Sequence, residues 1–180
     1  MPSATPVCPR SPRGWTLLEL LTVTLIVALA CALALPLLSG AVTRLGADLL
    51  RMQLVTVFNM TRNTAITRAH TVAVCPSVDG RTCSDEWGRG WLIHRDRGIA
   101  VTHPAAEDIL QFQSPARVQS VRVRASAGRS RLRFQRDGRS AGSTLTVSIC
   151  AGDALHSRVI VNNVGRTRAR RVRTAEPCPP

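Results

Sequence analysis

Near the end of the chain five arginines fall within eight residues, Arg166, Arg168, Arg170, Arg171 and Arg173, opened by the turn residue Gly165. In an extended segment Arg166, Arg168 and Arg170 share one face and repeat every ~6.7 Å, close to the spacing of phosphates along a nucleic-acid backbone. No aromatic residue interleaves them, so contact with a polyanion would run through its phosphates and not through stacked bases. The competing reading is a solvated strand whose arginines reflect codon usage, since all 24 basic side chains of the protein are arginine. Distribution separates the two. Residues 15–114 hold eight arginines and eight acids, whereas residues 115–180 hold fourteen arginines against Asp137, Asp153 and Glu176. That last third therefore carries +11 of the +13 total, and it is where a polyanion would dock. Arg122, Arg124, Arg129, Arg131 and Arg133 widen the positive surface.

The other end of the chain carries a single acid in an apolar setting. Glu19 stands at the head of a run in which no charge recurs from Leu20 to Thr43. An ionised side chain inside such a run costs on the order of 2.5–3.5 kcal/mol on insertion scales, and a buried charge survives only when paired. Those uncharged residues would span roughly 36 Å as a helix, enough to cross a bilayer core. An ordinary secretory signal would take Arg10 and Arg13 as its basic region and Ala32-Leu33-Ala34 or Ser39-Gly40-Ala41 as its cleavage site. A plain membrane anchor is the other bland alternative. Neither gives Glu19 a reason.

Six cysteines are present. Cys8 precedes the apolar run, and Cys31 within it reads as a small apolar residue. Cys75, Cys83, Cys150 and Cys178 form no CxxC and have no histidine at ligand spacing, which argues against zinc. Four cysteines allow three pairings. The favoured one joins Cys75 to Cys83 around the turn-rich Pro76-Ser77-Val78-Asp79-Gly80 and ties the tail down through Cys150 and Cys178. The shorter closed loop is worth roughly 2–3 kcal/mol. His70, His94, His103 and His156 show no metal spacing. Gly138-Arg139-Ser140-Ala141-Gly142 matches the nucleophile elbow of hydrolases, but a strand pattern follows it where the elbow needs a helix. His94-Arg95-Asp96 mimics a kinase catalytic loop in a chain far too short for a kinase and without its glycine-rich loop. There is no catalytic constellation, and the expectation is a protein that is neither an enzyme nor dependent on a metal or cofactor.

The elements that must position these groups are legible from periodicity. Leu45, Leu49 and Met52 recur at helical spacing, as do Leu50, Leu54 and Val57, and no breaker intervenes between Ala47 and His70. The spacing predicts a helix from Trp15 to about Arg68, its second half amphipathic. Beyond it, period-two segments predict strands over 71–75, 90–95, 109–113, 118–124, 130–135, 144–150, 157–162 and 166–172. Turn residues separate them at Asp79-Gly80, Ala127-Gly128, Asp137-Gly138, Ala151-Gly152-Asp153 and Asn163-Val164-Gly165. A long helix packed on an antiparallel sheet is an α+β fold.

Arg13-Gly14-Trp15-Thr16-Leu17-Leu18-Glu19 and its apolar continuation resemble the type IV prepilin signature. The resemblance implies cleavage between Gly14 and Trp15 by prepilin peptidase and N-methylation of Trp15, although the family usually has phenylalanine there. It implies that Glu19, fifth in the mature chain, neutralises the terminal amine of a neighbouring subunit in a filament. It also implies that the helix bends or melts near Pro36. Ala73-Val74-Cys75, Trp87 to Ile93, Leu132 to Arg139, Leu145 to Cys150, Arg158 to Val161 and Gly165 to Arg168 follow the order of the GspH/FimT family of minor pilins and pseudopilins. Within that family the Gly-Arg-x-Arg element resembles the DNA-binding motif of FimT-type minor pilins, which serve DNA uptake in natural transformation.

The resulting expectation has three parts: a leader over 1–14, a transmembrane and filament-core helix over 15–43, and a type IV pilin-like periplasmic head over 44–180. The partners it implies are DNA, other pilin subunits, prepilin peptidase and the inner membrane. The competing functions are a structural minor pilin that primes assembly and a type II secretion pseudopilin, neither of which binds DNA.

Overall fold

The computed structural model describes residues 14–98, 102–115, 120–126, 129–140, 144–174 and 176–179, with the side chains of Pro36 and Leu37 excepted. Leader residues 1–13, the start of the strand predicted from 118, the Ala127-Gly128 turn and Ala141-Gly142 lie outside the described residues. The chain divides into two units, Met1–Ser39 and Gly40–Pro180, and helix α1 (Leu17–Thr67) contributes to both.

In the first unit every side chain from Trp15 to Leu35 is exposed. The most apolar 18-residue window of α1 has a mean hydropathy of 2.6, and the helix is long and apolar enough to cross a membrane. It opens on Thr16, whose hydroxyl accepts the Glu19 amide at 3.2 Å. Thr16 and Glu19 thus have the spacing of a capping box, and an acid in the first turn complements the helix dipole. Glu19 therefore has a local role at the helix start that the apolar pattern alone does not reveal. Thr22 and Thr24 return their hydroxyls to the carbonyls of Glu19 and Leu21 at 2.9 and 3.0 Å, so these polar groups are satisfied inside the helix. The helix continues through position 36, so the turn there is not melted.

In the second unit the buried stripe of α1 is Ala47, Leu50, Leu54, Val57, Phe58, Thr61 and Ala65. Of the two apolar stripes in the sequence, that of Leu50, Leu54 and Val57 faces the core. The other stays outside, with Leu45, Leu49 and Met52 all more than half exposed. All eight predicted strands are present: β1 (Val72–Pro76), β2 (Trp91–Arg95), β3 (Ile109–Gln113), β4 (Val121–Ala125), β5 (Leu132–Phe134), β6 (Leu145–Ala151), β7 (Ala154–Val161) and β8 (Thr167–Arg171). They form not one sheet but two antiparallel ones, ordered β3-β2-β1-β5 and β4-β6-β7-β8. One core unites them with the helix: Val74, Ile93, Leu132 and Phe134 from the first sheet, Val147, Ile149, Val159 and Val161 from the second. Trp87 is fully buried edge-to-face on Phe58, with centroids 5.8 Å apart and planes at 74°. Its indole nitrogen donates to the Arg129 carbonyl at 3.3 Å, and that of Trp91 donates to the Trp87 carbonyl at 2.9 Å.

Both favoured disulfides are formed, Cys75–Cys83 and Cys150–Cys178, with Cα separations of 5.6 and 5.8 Å. The second binds the tail to β6 of the second sheet, which β7 separates from the strand that carries the clustered arginines.

Candidate nucleic-acid interface

Strand β8 is positioned by a lock at its start. The β7–β8 turn closes when the Gly165 amide donates to the Asn162 carbonyl at 2.8 Å, and the Asn162 side-chain oxygen accepts the Arg166 amide at 2.8 Å. Gly165 is buried with φ +76°, and a Cβ there would lie 1.9 Å from the Gly138 carbonyl oxygen. The same carbonyl accepts the Arg62 Nε of α1 at 3.0 Å. Ser140 completes the lock, its hydroxyl donating to the Asn162 carbonyl at 2.8 Å and its amide to that of Asn163 at 3.1 Å. Helix, β5–β6 loop and β7–β8 turn therefore meet within van der Waals distance. Gly165, grouped in sequence with the arginines, acts at this point as a spacer between backbones.

Within β8 the side chains divide between two faces. Thr167, Ala169 and Arg171 lie opposite Val161, Val159 and Ser157, all buried on the core side of β7. Arg168 and Arg170 lie opposite Ile160 and Arg158 on the outward face. Arg166 is exposed but precedes the strand, so the three-residue row expected at 166, 168 and 170 is a two-residue row with Arg166 at the turn. Arg173 is exposed beyond it. Among the described residues, no acidic side chain pairs with Arg166, Arg168, Arg170 or Arg173.

Arg171 differs. It turns to α1 and binds Asp48 with both its Nε, at 2.9 Å, and a terminal nitrogen. Arg51 shares that carboxylate at 3.2 Å, and His156 Nε2 lies 3.9 Å from it. Burial pushes the Asp48 pKa up, but hydrogen bonds from Arg171 and Arg51 and the charges of His156 and Arg171 outweigh it and hold the carboxyl below its ordinary 3.8. His156 is lowered from 6.5, first by burial and then by Arg171, Arg51 and Arg44, against the opposing pull of Asp48. Arg171 is thus an anchor of the strand to the helix.

Of the wider arginine set, Arg122 and Arg124 also point outward from the second sheet. Arg122 is taken up by Asp153 at 2.5 Å and by the Gly152 carbonyl at 3.0 Å. Arg133 belongs to the first sheet, paired with the buried Asp96. Arg158 and Asp48 were not singled out by the sequence. Strict alternation along β7 would have placed Arg158 outward beside the cluster, but nothing local marks Asp48 as the partner of a residue 123 positions away. Cys75, Cys83 and His94 bring donor atoms within 4.8 Å of one another, but the two sulfurs are bonded to each other and offer no thiolate.

A family model described as the type II transport protein GspH matches residues 51–165, which includes every strand up to β7 and the turn before β8. The chain belongs to the GspH family. The fold agrees. The type IV minor pilin FimU of Pseudomonas aeruginosa superposes with a TM-score of 0.55 at 16% identity, covering 71% of this chain and 90% of that one. A second crystal form of FimU gives 0.54 at 16%, covering 71% and 94%. The minor pseudopilin EpsH of Vibrio cholerae gives 0.47 at 14%, covering 69% and 96%. No curated protein sequence matches the chain. This GspH-family chain thus has the fold of the minor pilin FimU, a long helix with antiparallel sheets.

Proposed function

We propose that this protein is a minor type IV pilin that binds extracellular DNA, without sequence preference, for uptake in natural transformation. The observation that carries the reading is the outward pair Arg168 and Arg170, flanked by Arg166 and Arg173, all exposed and without an acidic partner among the described residues. Cations held apart from acids on an edge strand are free to release phosphate counterions, which is what drives sequence-independent DNA binding. Prepilin peptidase cuts after Gly14, Trp15 is methylated, and Glu19 meets the amine of a neighbouring subunit. The apolar part of α1 sits in the inner membrane with the head in the periplasm, before the subunit joins the pilus. Mass spectrometry of the protein from its native membrane should find a mature chain starting at methylated Trp15. A terminus near Gly40 would establish an ordinary signal peptide instead.

The DNA reading is tested with the full chain in non-ionic detergent and a short duplex. Affinity should fall with salt at a slope of about −0.9 per phosphate contact. Replacing Arg168 and Arg170 by Gln should flatten the slope by about two, weaken all sequences alike and leave the fold intact. Unchanged affinity and slope would discard the assignment. The family description as a type II transport protein favours a second reading, a secretion pseudopilin whose partners are other pseudopilins. On that reading the parent protein shows no salt-dependent DNA binding.

A further inference from the structure

We infer that a DNA backbone bound by this protein runs across the strands of the second sheet, that Arg158 and Arg124 lie in its path, and that Glu176 holds the phosphate position on Arg158 until DNA displaces it. The inference rests on the DNA-binding reading above. Its basis is the register. Arg124 of β4 is opposite Ser148 of β6, Ser148 is opposite Arg158 of β7, and Arg158 is opposite Arg170 of β8. These four positions form one row across the strands on the face away from the core, in which Arg124 and Arg170 are exposed, Arg158 is half-buried and Ser148, between Arg124 and Arg158, is buried. Neighbouring strands are ~4.8 Å apart, so the row brings Arg170 beside Arg158 and sets Arg124 about 10 Å further on. Along β8 itself the outward face offers only Arg168 and Arg170. The row across the sheet therefore extends the cationic track further than the strand does.

One member of the row is already occupied. Arg158 donates to a Glu176 carboxylate oxygen at 2.9 Å, and both side chains remain about two-fifths exposed. Arg124 and Arg170 have no such partner among the described residues. A carboxylate on a guanidinium occupies the place that a phosphate oxygen would take. Glu176 is held there by its own backbone. Its carbonyl accepts the Leu155 amide at 2.9 Å, the Cys178 amide donates to the Asp153 carbonyl at 2.9 Å, and the Cys150–Cys178 disulfide fixes the tail to β6. Arg158, Ile160, Arg170, Arg173 and Glu176 line a shallow recess of about 730 Å³ at this place. Because the Arg158–Glu176 pair is water-exposed it is weak, so a phosphate can replace the carboxylate without moving the tail.

The experiment is a double-mutant cycle on the full chain in non-ionic detergent, with a duplex of random sequence as probe and salt varied. Glu176→Gln should tighten binding by up to about 5-fold, because DNA no longer has to break an exposed ion pair, and leave the salt slope unchanged, whereas Arg158→Gln should flatten it by about 0.9. Arg158→Gln should erase that gain: the double variant should match Arg158→Gln alone. Arg124→Gln should flatten the slope by about one. If Glu176→Gln tightens binding equally with and without Arg158, the effect is general repulsion and the inference falls. If Arg168 and Arg170 prove necessary while Arg158, Arg124 and Glu176 do not, DNA binding stands and the crossing path is wrong. If the parent does not bind DNA, both fail together.

Discussion

Replacing Gly165 with alanine should destabilise the head by about 3–4 kcal/mol, an effect unlike that of changing any arginine beside it. Alanine in the left-handed region costs about 1–2 kcal/mol by itself. The larger part is steric. The new Cβ would lie 1.9 Å from the Gly138 carbonyl oxygen, which is backbone and cannot rotate away. Separating the β5–β6 loop from the β7–β8 turn disrupts the Arg62–Gly138 and Ser140–Asn162 hydrogen bonds, each worth about 1 kcal/mol. Gly152, in the β6–β7 hairpin, is the control: it has φ +62° but no heavy atom within 4 Å of its absent Cβ. Gly152→Ala should therefore show the conformational cost alone, about 1 kcal/mol. In thermal unfolding followed by near-ultraviolet circular dichroism, Gly165→Ala should melt lower by about 10 °C and Gly152→Ala by about 3 °C. Equal melting of the two variants would refute the close approach. A Gly165→Ala protein that melted normally and yet lost DNA binding would make Gly165 part of the binding surface and not its support.

The contrast between these glycines marks where sequence information ends. Helix α1 ends at Thr67, within a residue of the expected end at Arg68, because no breaker precedes it and Ala69 then takes φ +52°. Buried and exposed residues alternate plainly along β7 and β4, whereas β1 is buried throughout and β2 nearly so. The disulfide pairs followed from the short loop around Cys75 and Cys83 and the remaining pair near the tail. Periodicity carries no sign, however. The Leu45 and Leu50 stripes have the same spacing, and only the position of the sheets decides that Leu50 is buried while Leu45 is 60% exposed. The division into two sheets likewise depends on pairings such as β1 with β5, which leap over three intervening strands. In the site, the arginine cluster was visible as composition, but its partition was not. Arg168 and Arg170 face outward while Arg171 is drawn to a carboxylate on α1, and that depends on a contact spanning most of the head.

That contact gives the second large effect: Asp48→Asn should destabilise the head by about 2 kcal/mol and make it more sensitive to mild acid. Breaking a buried ion pair costs about 3–5 kcal/mol, and an exposed one under about 1. This site lies between, since the Asp48 side chain is 11% exposed and that of Arg171 59%. The pH dependence follows from His156. Its folded pKa is below 6.5, so the unfolded chain takes up the proton first as pH falls. The stability associated with neutral His156 is present above pH 6.5 and is lost as pH falls through its folded pKa. Asp48 is the group that favours the charged imidazole, whereas Arg171, Arg51 and Arg44 oppose it. Removing the Asp48 charge lowers the folded pKa of His156 further and widens the interval in which only the unfolded chain is protonated. His70 and His94 are also lowered, burial first in each case, and slope the same way in parent and variant, so the difference between the two proteins isolates His156. Denaturant unfolding at pH 7.5, 6.5 and 5.5 should show Asp48→Asn losing stability faster than the parent. With His156→Gln added to both, the two curves should run parallel over this range, because the Asp48 carboxyl, already below 3.8, does not titrate there. A difference that persisted without His156 would place the acid sensitivity elsewhere and remove the coupling between β7, β8 and the helix on which the orientation of the arginine strand depends.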